Sequence, residues 1–292
     1  MVIREKIDEI ESLNKENINE IINITLASAQ IEKITIKENF GDWDSRSNIN
    51  LFIYGQIGST KSTLLKQIAK QTKSRNPYTD MTYPALIGSV DKMTRQLIVG
   101  ACWNCRNKLM LLDEFNFSKK NKDDLRALLQ LIEGGEYSKK LASFSSPIEE
   151  KDKDLFYNFK DGDFDIKTRF SLIIATMKYP YTSQNQEVQA LVSRSITIPF
   201  YPDRKILKEI AHGKPLFKFK DLAPKEKNII ISKANYNKIL DYVDGKSKSD
   251  NFLRIIGDCV RVFAVVGKHR FDLYDLIIKL GSKKFQSKQP KK

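Results

Sequence analysis

The run Gly55-Gln56-Ile57-Gly58-Ser59-Thr60-Lys61-Ser62-Thr63 has the residue types that hold a phosphate chain. Gly55 and Gly58 let the backbone curl so that successive N–H groups converge on one anion. A helix beginning at the lysine adds its positive end to the same point. Lys61 has the length to reach β and γ phosphates, and Ser62 offers a hydroxyl to magnesium. The general pattern is G-x-x-x-x-G-K-S/T, and here Thr60 stands where its second glycine falls. A threonine there has to accept the same tight backbone. A second constellation is Asp113-Glu114, which closes the apolar run Leu109-Met110-Leu111-Leu112. A buried parallel strand that ends in two carboxylates delivers acid to the edge where open α/β sheets bind ligands. Asp113 is suited to support a magnesium ion and Glu114 to polarise an attacking water. The plain alternative, a core strand followed by a solvated turn, fits poorly with a phosphate loop upstream.

These residues need elements to hold them. Leu51-Phe52-Ile53-Tyr54 reads as the strand before the loop, and Leu64 to Lys70 as the helix after it. Helical spacing of Ile3, Ile7, Ile10, Leu13, Ile18, Ile21 and Ile22 predicts a helix over 3–30. Residues 41–45 read as a break and 73–83 as a loop with turns at Asn76-Pro77 and Tyr83-Pro84. Residues 87–99 read as a short strand pair turning near Lys92–Arg95. An amphipathic helix is expected over 121–133, closed by Gly134-Gly135. An exposed strand follows over 137–144, then an insertion or hairpin over 147–167. Phe170 to Ala175 is a second buried strand, and Ile196 to Phe200 a third, after Ser193-Arg194-Ser195. From Asp203 onward the pattern is helical. The expected fold is α/β: a parallel sheet flanked by helices over 48–203, preceded by a helical segment and linker over 1–47. A small all-α lid follows over 204–282, then a basic tail over 283–292.

Composition narrows the class. The chain has 292 residues and a formal charge of +14, and residues 201–292 carry 22 Lys+Arg against 10 Asp+Glu. A field of that sign favours a polyanion such as nucleic acid, while solubility and a solvated tail are the plain reading of the last ten residues. No apolar run reaches 18 residues, and Met1 to Lys6 opens no long apolar stretch, so neither a membrane span nor a secretory signal is expected. Three cysteines suit a reducing, cytoplasmic compartment. Cys102-Trp103-Asn104-Cys105 has C-x-x-C spacing, but the other candidate zinc ligands, Cys259, His212 and His269, are distant, so a packed thiol pair is expected. Asp161-Gly162-Asp163-Phe164-Asp165 opens like a calcium loop, yet Ile166 replaces its glycine and Leu172 its final glutamate. A hairpin turn is the better reading.

The order of these elements resembles the AAA+ ATPases, and within them the minichromosome-maintenance (MCM) helicase core, over roughly residues 48–278. The loop of that family, G-D-P-G-S/T-A-K-S, also lacks glycine before its lysine, and Gly55 to Ser62 is similar to it. Ala85 to Val90 resembles the family's G-L-T-A-S-V. Gly100-Ala101 with Leu111-Leu112-Asp113-Glu114-Phe115 resembles its second motif, and Leu191-Val192-Ser193-Arg194 its L-L-S-R-F. The resemblance implies ATP and Mg2+ as cofactors, bound by Gly55, Gly58, Ser59, Thr60, Lys61, Ser62 and Thr63, with Ser62 and Asp113 on the metal. It implies a homo-oligomer, a ring or spiral of six, in which Arg194 reaches the γ-phosphate held by the next subunit. Arg254, sixteen residues before Arg270-Phe271-Asp272-Leu273, takes the place of the sensor-2 arginine. Thr176 stands nearest the family's sensor-1 asparagine. The two hairpins that line the family's channel correspond to Lys92–Arg95 and 137–167. Lys92, Arg95, Lys139 and Lys140 are thereby candidates to grip a nucleic-acid backbone, and Tyr137, Phe156 and Tyr157 to stack on bases; the insertion also holds many acids, and a solvated surface loop is the equal alternative for Phe156 and Tyr157. The family's N-terminal DNA-binding region and C-terminal winged helix are not expected within these residues, which leaves a separate DNA-recognition subunit or a protein partner open. A DNA translocase or helicase is the leading expectation. A protein-remodelling ATPase and a nucleotide-gated assembly switch are the alternatives.

Overall fold

The computed structural model describes residues 15–56, 58–79, 81–90, 93, 97–115, 122–140, 156–160, 163–177, 185–202, 204–212, 226–249 and 251–282. In chain order the described elements are α1 (Lys15–Ser28), β1 (Lys33–Ile36), β2 (Trp43–Ser45), β3 (Leu51–Tyr54), α2 (Lys61–Thr72), α3 (Tyr83–Ile87), β4 (Gly88–Val90) and β5 (Leu97–Val99). There follow α4 (Ala101–Asn104), β6 (Lys108–Leu112), α5 (Lys122–Gly134), β7 (Glu136–Lys140), β8 (Phe156–Lys160), β9 (Asp163–Lys167) and β10 (Phe170–Thr176). The chain continues through α6 (Gln186–Ser193), β11 (Ile196–Pro199), α7 (Arg204–Ala211), β12 (Asn228–Ile231), α8 (Lys233–Asp244), α9 (Phe252–Val266) and α10 (Phe271–Ser282).

Four parallel strands in the order β11-β3-β10-β6 form the central sheet. Successive residues of a strand face opposite sides, and both sides here are covered. Leu51 and Ile53 of β3, with Ile173 and Ala175 of β10, join one core with α1, α2, α9 and α10. Phe52, Leu172, Ile174, Met110 and Leu112 join a second core with α4, α5 and α6. This is why these strands read as unbroken apolar runs rather than alternating ones. The sheet is therefore the middle of three layers.

Polar side chains lock the starting edge of the sheet. Asn50 accepts from the Leu172 amide through its Oδ1 at 2.9 Å, and its carbonyl accepts from the Ile196 amide at 2.8 Å. Ser28 Oγ accepts from the Ile49 amide at 3.0 Å and lies 3.1 Å from Ser171 Oγ. The last turn of α1 is thus tied to the entry of β3 and β10. Near the middle of α1, Glu20 receives two bonds from Arg270 at 2.5 and 3.0 Å, which fastens α1 to the start of α10.

The strand pair expected over 87–99 is the antiparallel hairpin β4–β5, and the 147–167 region supplies β8 and β9, which pair with β7 in the order β7-β9-β8. The expected helix over 3–30 is present as α1, its first part lying outside the described residues. Two expectations need correction. Residues 1–47 hold β1 and β2 as well as a helix, and the segment from 204 is not all-α, because β12 pairs in parallel with β1, Lys33 opposite Asn228 through Ile36 opposite Ile231. The reason is β-branched content. Ile34, Ile36 and Ile231 are fully buried in that pairing, which suits stiff side chains on a pleated surface. Among the described residues no helix is long and apolar enough to cross a membrane, and Cys102, Cys105 and Cys259 are buried free thiols.

Asn50→Ala would strand the buried Leu172 amide without an acceptor. The expected cost is about 1–3 kcal/mol, read as a lower urea midpoint with an unchanged slope.

Candidate active site

Because the four strands run parallel, Tyr54, Leu112, Thr176 and Pro199 all end at one edge. The loop Gly55 to Thr60 leaves β3 there, and a cleft of about 210 Å³ opens between it and the ends of β6 and β10. Gly58, Ser59, Thr60, Lys61, Ser62, Asp113, Glu114 and Thr176 all line it, with half-exposed Met177 at its mouth. Gly55 lies just outside that lining, and Thr63 stands in the first turn of α2.

The loop's shape follows from its glycines. A Cβ on Gly55 would fall 2.3 Å from the Phe200 carbonyl oxygen, so a side chain is sterically barred there. Gly58 has φ +81°, the left-handed region that glycine enters freely. Thr60 also sits left-handed, at φ 62° and ψ 22°, immediately before α2. The position that the general motif gives to glycine thus keeps a glycine-like backbone in spite of its β-branched side chain. Its hydroxyl turns back to the Ser59 carbonyl at 2.7 Å.

Lys61 is buried, and its ammonium spans the loop, donating to the carbonyls of Gly55 at 2.8 Å and Gln56 at 2.9 Å and to Ser59 Oγ at 3.0 Å. Those contacts match the three donors of an ammonium group. Burial lowers the Lys61 pKa from its ordinary value, and the charges of Asp113 and Glu114 pull the other way. Across the cleft Ser62 Oγ donates to Asp113 Oδ1 at 3.1 Å, and the same oxygen accepts from the Glu114 amide at 3.0 Å. Asp113 is buried while Glu114 is exposed to the cleft. Glu114 takes φ 50°, and the next amide, Phe115, bonds to the Ala175 carbonyl at 3.2 Å. The turn after β6 is thereby hooked to β10, which swings the two carboxylates to different depths. Thr176 is buried at the end of β10, and its carbonyl accepts from the Gly55 amide at 3.3 Å.

Among the described residues no group of three or more His, Cys, Asp or Glu side chains could cage a metal. The Ser62 hydroxyl beside the Asp113 carboxylate is a partial oxygen shell. It fits an ion such as magnesium, which keeps waters and takes phosphate oxygens rather than a full protein cage.

Arg194 and Arg254 are not at this cleft. Arg194 precedes β11, whose Ile196 pairs with Leu51, so it lies at the starting edge of the sheet, opposite the loop. It forms an ion pair with Glu133 through Nε, and its Nη1 donates to the Ala190 carbonyl at 2.9 Å. Arg254 stands in the first turn of α9, close enough to Arg194 and Glu133 to feel both charges; burial first, and then Arg194, lowers its pKa. Sequence reasoning missed two neighbours of this group. Arg46 donates from Nη2 to the Arg194 carbonyl at 3.2 Å, and Glu133 ends α5. Neither belongs to a spaced motif, so nothing in the sequence singled them out.

Lys139 and Lys140 are in β7, opposite Phe164 and Asp163 of β9, and Phe156 and Tyr157 are in β8. Lys92 and Arg95 lie outside the described residues. Cys102 and Cys105 are buried, and burial raises both thiol pKa values, that of Cys105 to about 11. That is the environment of packed thiols, not of reactive ones.

A comparison with protein-family models finds none that matches this chain, and a search of curated proteins finds no match either.

Thr60→Gly tests the loop strain. A left-handed L-residue costs about 1–2 kcal/mol, and glycine returns about 0.5–1 kcal/mol of that as unfolded-chain entropy. The expected net gain is about 0.5–1 kcal/mol in urea unfolding.

Proposed function

We propose that the chain binds ATP with magnesium at the β3–α2 loop and hydrolyses it within an oligomer of its own copies, as an AAA+ motor directed at DNA. The observation that supports this most is the 3.1 Å contact between Ser62 and Asp113, with Lys61 wrapped by the loop beside it. Two residues fifty-one positions apart meet where the phosphate loop, the positive end of α2 and an acidic strand end converge.

In this reading the loop amides and Lys61 bind the β and γ phosphates. Lys61 exchanges loop carbonyls for phosphate oxygens, a swap between acceptors at the same short reach. Ser62 and Asp113 would hold magnesium, which when bound neutralises phosphate charge. Glu114, exposed at the cleft on its left-handed turn, accepts the proton of the attacking water. Thr176 and its carbonyl fix the end of β10 against the loop and orient that water. Arg194 and Arg254 stand at the other edge of the sheet, too far to serve the cleft of their own copy. They serve the nucleotide of an adjacent copy, and stabilisation of this kind is worth roughly 10³–10⁵ in rate.

The DNA-directed part rests on the resemblance to the minichromosome-maintenance core and on the basic excess after residue 200. Lys139 and Lys140 on β7, with Lys92 and Arg95, are the residues proposed to meet the strand.

Steady-state ATP turnover with and without single-stranded DNA, at two salt concentrations, tests this reading. Glu114→Gln is expected to lower turnover by about 10²-fold or more while nucleotide still binds. Stimulation by DNA that fades with salt supports the motor. Turnover indifferent to DNA redirects it to a protein partner, and a wild-type rate equal to that of Glu114→Gln leaves an assembly switch.

The three lysines and Arg95 carry a separate expectation. Alanine at Lys92, Arg95, Lys139 and Lys140 together should remove the DNA stimulation, measured in the same assay, while DNA-free turnover survives.

A further inference from the structure

The starting edge of the sheet gathers more positive charge than it neutralises. Arg254, Asp258 and Arg261 fall at i, i+4 and i+7 on α9, hence on one face. Arg261 is buried and paired with Asp258 at 2.5 Å, and its Nε has no partner among the described residues. Glu133 pairs with Arg194. Arg46 enters from the β2–β3 connection and lies beside the same groups. Four guanidinium groups thus share two carboxylates.

The bonds to Arg194 are arranged as a clamp. Arg46 grips its main-chain carbonyl, Glu133 takes Nε, and the Ala190 carbonyl takes Nη1. Among the described residues Arg194 Nη2 has no hydrogen-bond partner, so it keeps donors to offer an anion. Among the described residues the Arg46 side chain makes no other hydrogen bond. Burial, followed by the charge of Arg261, lowers its pKa from the ordinary value. A guanidinium held there against its solvation and against like charges gains from any anion that arrives.

Resting on the function proposed above, we propose that Arg46 is a positioning residue for the trans-acting arginine: it fixes Arg194 through its carbonyl on a face that receives the terminal phosphate of a nucleotide held by a second copy of this chain. Glu133 is the counter-charge that this phosphate displaces from Arg194. Arg46 and Glu133 also line a neighbouring groove of about 340 Å³ at this edge, whose other charged groups are Glu32, Lys33, Asp44 and Arg169; Arg194 and Arg254 lie outside its lining.

The test uses the full chain with Arg46→Gln and Arg46→Lys. A fluorescent ATP analogue reads binding at the loop, turnover reads kcat and KM, and sedimentation with ATP reads self-association. Arg46→Gln is expected to bind the analogue within twofold of wild type and to lose about tenfold or more in kcat with KM little changed. Arg46→Lys, which can still donate to the Arg194 carbonyl, should recover at least half of the loss. Mixing Arg46→Gln with Lys61→Ala should restore turnover, because the second variant supplies an intact arginine face to the intact phosphate loop of the first.

Wild-type kcat in Arg46→Gln, or no recovery on mixing, overturns this inference and leaves the function standing. Loss of analogue binding in Arg46→Gln together with a lowered Tm reassigns Arg46 to folding. If the wild type assembles with ATP but does not turn it over, assembly replaces kcat as the readout, and undiminished assembly of Arg46→Gln overturns the inference. A wild type that neither turns over ATP nor assembles with it overturns the function and this inference together.

Discussion

The candidate site depends on a gap that admits a hydrogen atom and not a methyl group. Gly55 leaves β3 so close to the end of β11 that a Cβ would stand 2.3 Å from the Phe200 carbonyl. This approach lets the backbone turn at once from strand to loop, and the turn aims α2 back across the sheet. It also places Ser62 within a hydrogen bond of Asp113. A side chain at position 55 would push the loop off β11, and Lys61, whose ammonium rests on the Gly55 and Gln56 carbonyls, would lose its seat. Local geometry at one residue therefore sets the position of the loop groups, while Asp113, Glu114 and Thr176 are placed by β6 and β10.

Two residues of the cleft hold unfavourable backbone angles, Thr60 at φ 62° and Glu114 at φ 50°. Neither has glycine's freedom, and each costs of the order of 1–3 kcal/mol. The surroundings hold them there. Thr60 is fixed between the loop and the first turn of α2, where its carbonyl accepts from the Leu64 amide at 3.0 Å. Glu114 is fixed on one side by its own amide on Asp113 and on the other by the Phe115 amide on β10. Behind both, the sheet is buried on its two faces, and such a core is stiff enough to hold strained connections at its edge.

Much of this was legible in the sequence, for physical reasons that differ by segment. Leu51 to Tyr54 and Phe170 to Ala175 read as strands because burial on both faces leaves few polar positions, Ser171 being one. The glycines of the loop after β3 were legible as special backbone positions, because few residue types tolerate the close approach at Gly55 and the left-handed φ of Gly58. The motif also marked Thr60 as a position of tension, although no sequence rule gives its φ. The pairing of β12 with β1 was not legible. Asn228 to Ile231 pairs with residues nearly two hundred positions earlier, and amid charged and helical neighbours its three isoleucines read as part of a helix. Arg46 and Glu133 were missed for another reason. They act through a carbonyl and a single ion pair at element ends, and such contacts leave no spacing to read.

The candidate cleft and the arginine cluster lie at opposite edges of one sheet. β3 has four residues, so the two edges are about 13 Å apart along the strand at roughly 3.3 Å per residue. That exceeds the reach of an arginine side chain folded against Glu133. Rotamer changes alone cannot bring Arg194 to its own cleft, since Leu191, Val192, Ile196 and Ile198 anchor its backbone in the two cores. Under the function proposed above, rigidity of the sheet is the reason that a complete set of charges around one nucleotide would need two copies. The same rigidity gives any such pairing a direction, because the edge that carries the phosphate loop and the edge that carries the arginines cannot exchange roles. An interface of this kind is heterologous, and repeated copies close into a ring or continue as a helix.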